Sequence, residues 1–425
     1  MHRLFFAIYF VAWFLLVLSP APAWAYDYPF EDPYVATVVG TPPQYQMVVP
    51  KKVPVRTYKL EVFPQREIPR VFWYQKKLRY SLVYQKNKAP LIFNIAGTGA
   101  SFDSAKMQFM SKVFYQAGFH VISLSSPTVS NFIVNASSTK IPGLLSVDAA
   151  DLYRVMELAY EQVRKRVEVS EFYLTGYSLG GSQAAFVAKL DEEQKIFNFK
   201  KVLLINPPVS LFKSVSILDK MLIDGIPGGM SGFNDYFNDL FEKFAETYRD
   251  HDFLQFDEQF LHSVYKLRRP KGPKLAPLIG LSFRLSSSSM MFTSDVMSHF
   301  GLVVPKNRDL SSSDSLTLYF KVTVRISFVD YFNEMFFPYY NSRDPQATKQ
   351  SLMDQTSLKS IEPYLRDSQK IGVIHNEDDL ILAPGEIEFF RRVFQARAKI
   401  YSKGGHCGNM EFSDNATYMV NFFAN

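Results

Sequence analysis

Cysteine is almost missing from this sequence: Cys407 is the only one in 425 residues. A lone thiol forms no internal disulfide, which excludes the small disulfide-stapled scaffolds of many exported proteins. Stability has to come from a packed core, and a chain of this length can build one. Charge of one sign is also in short supply. The formal net charge is +6, with charged residues at 21%, far from the concentrated basic face of a nucleic-acid-binding domain. Bulk disorder is excluded by a hydrophobic content of 47%. Beyond the N-terminus no apolar run approaches the roughly 20 residues that a membrane-spanning helix needs. No internal repeat is visible.

The first residues carry a different message. Arg3 precedes an unbroken apolar run, Leu4 to Leu18, which Ser19, Pro20 and Pro22 end. Ala23-Trp24-Ala25 follows as an A-x-A cleavage site. Residues 1–25 read as a secretory signal peptide, cleaved after Ala25. The mature chain is then expected to be soluble, exported, and periplasmic or extracellular. Its densest basic run is Lys266, Arg268, Arg269, Lys271 and Lys274. That run reads as a solvated loop, with peripheral contact to an anionic membrane surface as the alternative. Two N-x-[ST] sequons begin at Asn135 and Asn415.

Residues 26–55 are rich in Pro and Tyr without a steady period, and read as an extended arm over the domain. Alternation at Tyr58–Phe63 and Leu78–Val83 suggests strands. Short, largely apolar runs follow at Leu91–Ile95, Val121–Leu124, Phe172–Leu174, Val202–Ile205 and Ile371–Ile374, with Asn94 and Ser123 as the polar members. Such runs suit strands buried on both faces. Helical patterns at about 103–117, 146–167 and 181–193 alternate with them, so the expected fold is α/β with a mostly parallel, doubly wound sheet. The gap from Ile205 to Ile371 far exceeds a crossover. It holds aromatic stripes at helical spacing, Phe233 to Phe244 and Phe328 to Phe336, and loop-like serine clusters at 286–289 and 311–313. Residues 209–362 are therefore expected to form a largely helical cap, set between core segments 56–208 and 363–425.

Chemistry concentrates at Gly176-Tyr177-Ser178-Leu179-Gly180. The bare pattern G-x-S-x-G is common. Here an apolar strand runs into it and an alanine-rich helix runs out, which is the strand–turn–helix setting of a nucleophilic serine. Glycine is needed where a Cβ would collide in so tight a turn. A carbonyl under attack develops negative charge, and two backbone N–H groups usually receive it. Leu179 is the expected first donor. Thr98, in the loop Ala96–Ser101 after Leu91–Ile95, is the expected second. This Gly-rich loop lacks the Lys-Ser/Thr ending of a phosphate-binding loop.

A serine hydroxyl needs an imidazole base, and the base needs a carboxylate. His406 lies in the flexible stretch Gly404-Gly405-His406, after the strand-like Ala398–Tyr401. It is the expected base. His375 sits inside an apolar run and reads as structural. The acid belongs just past Ile371–Ile374, where Glu377, Asp378 and Asp379 stand side by side. Asp379 is preferred because it precedes Leu380-Ile381-Leu382, and Asp378 and Glu377 stay open. Cys407 reads as a small packing residue.

At these residues the chain resembles the α/β-hydrolase superfamily, in its lipase, esterase and serine-aminopeptidase-like branches with an inserted cap. The elbow Gly176 to Gly181 and the closing Gly404-Gly405-His406 carry the resemblance. Many relatives open the oxyanion loop with His-Gly, whereas this chain has Ala96-Gly97. The resemblance implies a serine hydrolase acting on a small-molecule or lipid-like acyl substrate, with no metal or organic cofactor. A rival reading is a hydrolase-fold protein that binds a lipid, peptide or envelope partner without turnover. The complete set of serine, acid and histidine argues against it.

Overall fold

The computed structural model describes residues 26–239 and 272–424. The signal segment 1–25, most of the basic run 266–274 and the end of the Phe233 stripe lie outside them. Eight strands form one sheet in the order β1-β2-β4-β3-β5-β6-β7-β8. They are β1 (Val55–Leu60), β2 (Leu78–Val83), β3 (Ala89–Ile95), β4 (His120–Leu124), β5 (Val169–Tyr177), β6 (Lys201–Ile205), β7 (Ile371–Asn376) and β8 (Ala398–Tyr401). Only β2 runs against its neighbours; from β4 to β8 every pairing is parallel. The fold is thus an α/β doubly wound sheet, as the apolar runs predicted.

Both faces of the sheet are covered. One face buries Leu91, Phe93 and Leu174 with helix Leu145–Val163 and helix Leu179–Gln194. The other buries Ile92, Val121 and Ile205 with helix Ala105–Gln116 and helix Ser413–Ala424. Central strands read as largely apolar runs for this reason. Between β6 and β7 the described residues are mostly helical, with aromatic cores of their own. Among the described residues no helix is long and apolar enough to cross a membrane.

Two expectations need correction. Residues 26–55 are not simply extended, because Pro33–Val39 is a helix. Asp32 caps it, accepting the N–H groups of Tyr34 (2.9 Å) and Val35 (3.2 Å), and Pro33 fills the first position. Asp-Pro is a helix-start signal that the search for a period passed over. The serines at 286–289 are not a loop. They lie within helix Ala276–Ser298, where Ser287 and Ser288 donate to the Arg284 carbonyl at 2.9 and 2.8 Å. Satisfied that way, a hydroxyl can be buried in a helix. Small side chains are also needed there, since a Cβ on Gly99 would come 2.6 Å from the Ser286 Cβ. Finally, Asn135 and Asn415 are both buried. Neither side chain is presented as a glycan acceptor.

The first turn of helix Leu145–Val163 holds an unusual carboxyl. Asp148 is buried and accepts the Gly143 N–H at 2.9 Å. Burial pushes its pKa up to about 8, against which the Gly143 hydrogen bond acts only partly. Folded protein keeps this proton at neutral pH and unfolded chain does not, so stability falls as pH rises from the ordinary aspartate range towards 8. Asp148→Asn retains an acceptor oxygen and removes the ionisation. Its melting temperature is expected to match the parent at pH 4 and exceed it at pH 9. Differential scanning calorimetry at the two pH values checks this.

Candidate active site

Four strands end at the same edge of the sheet, and each delivers one part of the site. Register pairs Ile95 with Gly176, Gly176 with Leu204, and Ile205 with Ile374. The loops after β3, β5, β7 and β8 therefore leave from a common rim. In open α/β sheets this carboxyl edge is where ligands bind.

Ser178 is the turn between β5 and helix Leu179–Gln194. Its backbone is forced to φ 54°, ψ −127°, a region that costs a non-glycine residue on the order of 1–3 kcal/mol. Surrounding contacts leave no choice. A Cβ on Gly176 would fall 2.3 Å from the Gly180 carbonyl oxygen, and one on Gly180 would fall 2.3 Å from that of Ile95. Ser178 N–H donates to Ile205 at 2.8 Å, which ties the elbow to the next strand.

His406 Nε2 lies 2.9 Å from Ser178 Oγ. Its Nδ1 lies 3.0 and 3.1 Å from the two oxygens of Asp379. A carboxylate only accepts, so Nδ1 carries the proton and Nε2 is left to accept from the serine hydroxyl. All three residues are buried. Burial alone would lower the imidazole pKa, but Asp379 overrides it and holds the value well above the ordinary histidine range. Asp379 itself is held below the usual carboxylate range: burial opposes this, and His406 outweighs burial. Asn206 donates to Asp379 at 3.1 Å, as does the Ile381 N–H.

The neighbouring acids have other partners. Asp378 accepts the N–H groups of Gly404 (3.2 Å) and Gly405 (2.9 Å), clamping the loop that carries His406. Glu377 pairs with Arg391 at the surface. His375 stays in β7: its Nε2 donates to the Pro207 carbonyl at 3.0 Å and its Nδ1 accepts the Asn376 N–H at 3.0 Å. Cys407 is buried with its Sγ 3.8 Å from His406 Nε2.

The loop Ala96–Ser101 closes on the elbow. A Cβ on Gly97 would meet the Tyr177 ring at 2.8 Å and the Ser178 Cβ at 3.1 Å. Gly99 N–H is committed to Thr128 Oγ1 (2.9 Å) and Ala100 N–H to the Gly97 carbonyl (3.0 Å). Among the described residues, the N–H groups of Thr98 and Leu179 have no such acceptor. Both residues border one small apolar cavity.

Sequence reasoning missed the support from the arm. Thr37, in helix Pro33–Val39, accepts the His406 N–H at 2.9 Å and donates to Pro33 at 2.7 Å. Gly405 and Gly408 let that helix approach: a Cβ on either would lie 2.3 or 2.1 Å from the carbonyl oxygens of Pro33 and Ala36. Asn376 and Asn409 brace the same loop from below, Asn376 Nδ2 donating to the Gly405 carbonyl at 2.8 Å and to Asn409 at 2.9 Å. Contacts between residues so distant in the chain leave no local trace in sequence. Among the described residues no group of three or more His, Cys, Asp or Glu side chains is placed to hold a metal ion.

No family model matches the chain, and no curated protein matches it in sequence. Solved structures do align with it. The Pyrococcus furiosus esterase Pf2001 aligns at 9% identity and TM-score 0.41, over 89% of this chain and 96% of that one. A membrane phospholipase A described as a bacterial virulence factor aligns at 14% identity and TM-score 0.43, over 87% and 86%. Est1E from Butyrivibrio proteoclasticus aligns at 13% identity and TM-score 0.37, over 82% and 96%. The strand order, the serine turn after β5, and the acid and histidine after β7 and β8 give this chain the α/β-hydrolase fold.

Proposed function

We propose that the protein is an exported serine hydrolase that cleaves an ester or related acyl bond through an acyl-Ser178 intermediate. The observation that carries this reading is the unbroken hydrogen-bonded line from Ser178 Oγ through His406 to Asp379. In the first step Ser178 Oγ attacks the carbonyl carbon and passes its proton to His406 Nε2. Charge gathers on the carbonyl oxygen, facing the N–H groups of Leu179 and Thr98. The bond to the leaving group then breaks, and His406 returns the proton to it. Water repeats the sequence on the acyl-enzyme and frees Ser178. Asp379 fixes the tautomer of His406 and stabilises the imidazolium.

A fluorophosphonate probe tests the reading. Labelling of the purified protein, lost in Ser178→Ala, supports it. Labelling that survives Ser178→Ala, or a parent protein that neither labels nor turns over any ester while retaining a bound ligand, sinks it in favour of a non-catalytic binder.

The raised imidazole pKa makes a second expectation. His406 must be neutral to accept the serine proton, so activity falls as pH drops through its pKa. Because Asp379 holds that pKa well above the ordinary histidine value, kcat/KM is expected to lose half its plateau at a pH above roughly 6.5. In Asp379→Asn the remaining activity should show its acid limb at lower pH. A pH profile of ester hydrolysis for the two proteins measures both.

A further inference from the structure

Beside the site lies an apolar cavity of about 70 Å³. Thr98 and Leu179, the two expected oxyanion donors, are among the residues that line it, and Leu179 follows Ser178 directly in the chain. Cap side chains build its walls: Phe212, Val215, Met290, Tyr331, Phe332 and Phe336. No charged side chain among the described residues lines it. An acyl group bearing an ammonium or a carboxylate would lose its hydration there without a partner.

The aromatic wall is built to stay put. Phe332–Phe336 is a π-helical turn, a local widening that inserts one extra residue into the helical repeat. Such turns are uncommon and recur at functional sites. It stacks the Phe332 and Phe336 rings 5.5 Å apart at 25° and sets Phe332 against Phe212 at 4.9 Å. Phe336 is buried, 4.7 Å from the Tyr340 ring. On its other side it meets the backbone at Gly143, where a Cβ would lie 3.3 Å from the ring. Tyr331 donates to the Pro142 carbonyl at 2.9 Å and pins the same wall to the core domain. Phe336 is therefore a fixed part of the cavity wall.

Volume then sets the substrate. An apolar cavity of about 150 Å³ takes a six-carbon ring. Half that space suits roughly two to four carbons. We propose that the protein acts on esters or thioesters of short, uncharged acyl groups, acetyl to butyryl, and that Phe336 sets the limit. This inference rests on Ser178 being the nucleophile.

The full-length mature chain is assayed with p-nitrophenyl acetate, butyrate, octanoate and dodecanoate. Expected is a kcat/KM highest for acetate or butyrate and about tenfold or more lower for octanoate. Phe336→Ala should raise the octanoate-to-butyrate ratio about tenfold, and Phe336→Leu, which keeps more of the packing, should move it the same way by less. A parent enzyme that prefers octanoate or dodecanoate overturns the proposal, as does an unchanged ratio in a folded Phe336 variant. Labelling rates supply a readout free of turnover. A short-alkyl fluorophosphonate reacting faster than a long-alkyl one supports the pocket, and the reverse order overturns it while leaving Ser178 as nucleophile. Absence of labelling by both removes the nucleophile reading, and this inference with it.

Discussion

Ser178→Ala and His406→Ala are each expected to lower kcat by about six orders of magnitude, and the double variant to be no worse than either single one. The reason lies in the shared proton. Ser178 Oγ and His406 Nε2 are 2.9 Å apart and one transfer uses both, so losing either ends the same step. Asp379→Asn should cost less, about four orders. It leaves serine and imidazole in place but presents an amide to Nδ1 where the carboxylate stood. Activity left in all three variants would come from substrate binding and from the N–H groups of Leu179 and Thr98. Steady-state kinetics on a short ester, with circular dichroism to show that each variant is folded, makes the comparison. Losses that multiply in the double variant would mean that Ser178 and His406 do not act on one proton.

Gly180→Ala is expected to destabilise the fold by about 3 kcal/mol or more. The added methyl would lie 2.3 Å from the Ile95 carbonyl oxygen and 2.6 Å from that of Ala96. Both are backbone atoms at the end of β3, so no side-chain rotation relieves the clash. Either the helix withdraws from the sheet or β3 shifts, and a shift of β3 moves the loop that carries Thr98. Gly181→Ala supplies the contrast. Its nearest contacts are 3.1 and 3.3 Å, so a displacement of a few tenths of an ångström suffices and the loss should be far smaller. Urea unfolding of the two variants beside the parent separates the cases. Equal midpoints would show that the elbow tolerates bulk where the geometry says it does not.

Much of this architecture is legible in the sequence because burial on both faces removes polar residues from a strand. Leu91–Phe93 and Val202–Ile205 are apolar for that reason, and each lies in a central strand. Ser178 stands out because its turn needs glycine on both sides. The acid is harder. Glu377, Asp378 and Asp379 have the same chemistry at adjacent positions, and only the path of the loop decides which carboxylate meets the ring. Serines at 286–289 look like loop residues because composition cannot register a hydroxyl that bonds back to its own helix. Thr37 and Asn206 were beyond reach: each meets its partner, His406 or Asp379, across more than a hundred positions.

The arm has a consequence for the order of events. Tyr26, Thr37, Thr41 and Gln46 all bond to residues between 406 and 415, near the opposite end of the chain. Closing so large a loop carries an entropic penalty that earlier, shorter-range contacts do not. The imidazole loop thus gains this support only when residues 26–46 meet residues 406–415. A partly folded molecule with a finished sheet and a formed serine turn would still lack the bond from the His406 N–H to Thr37.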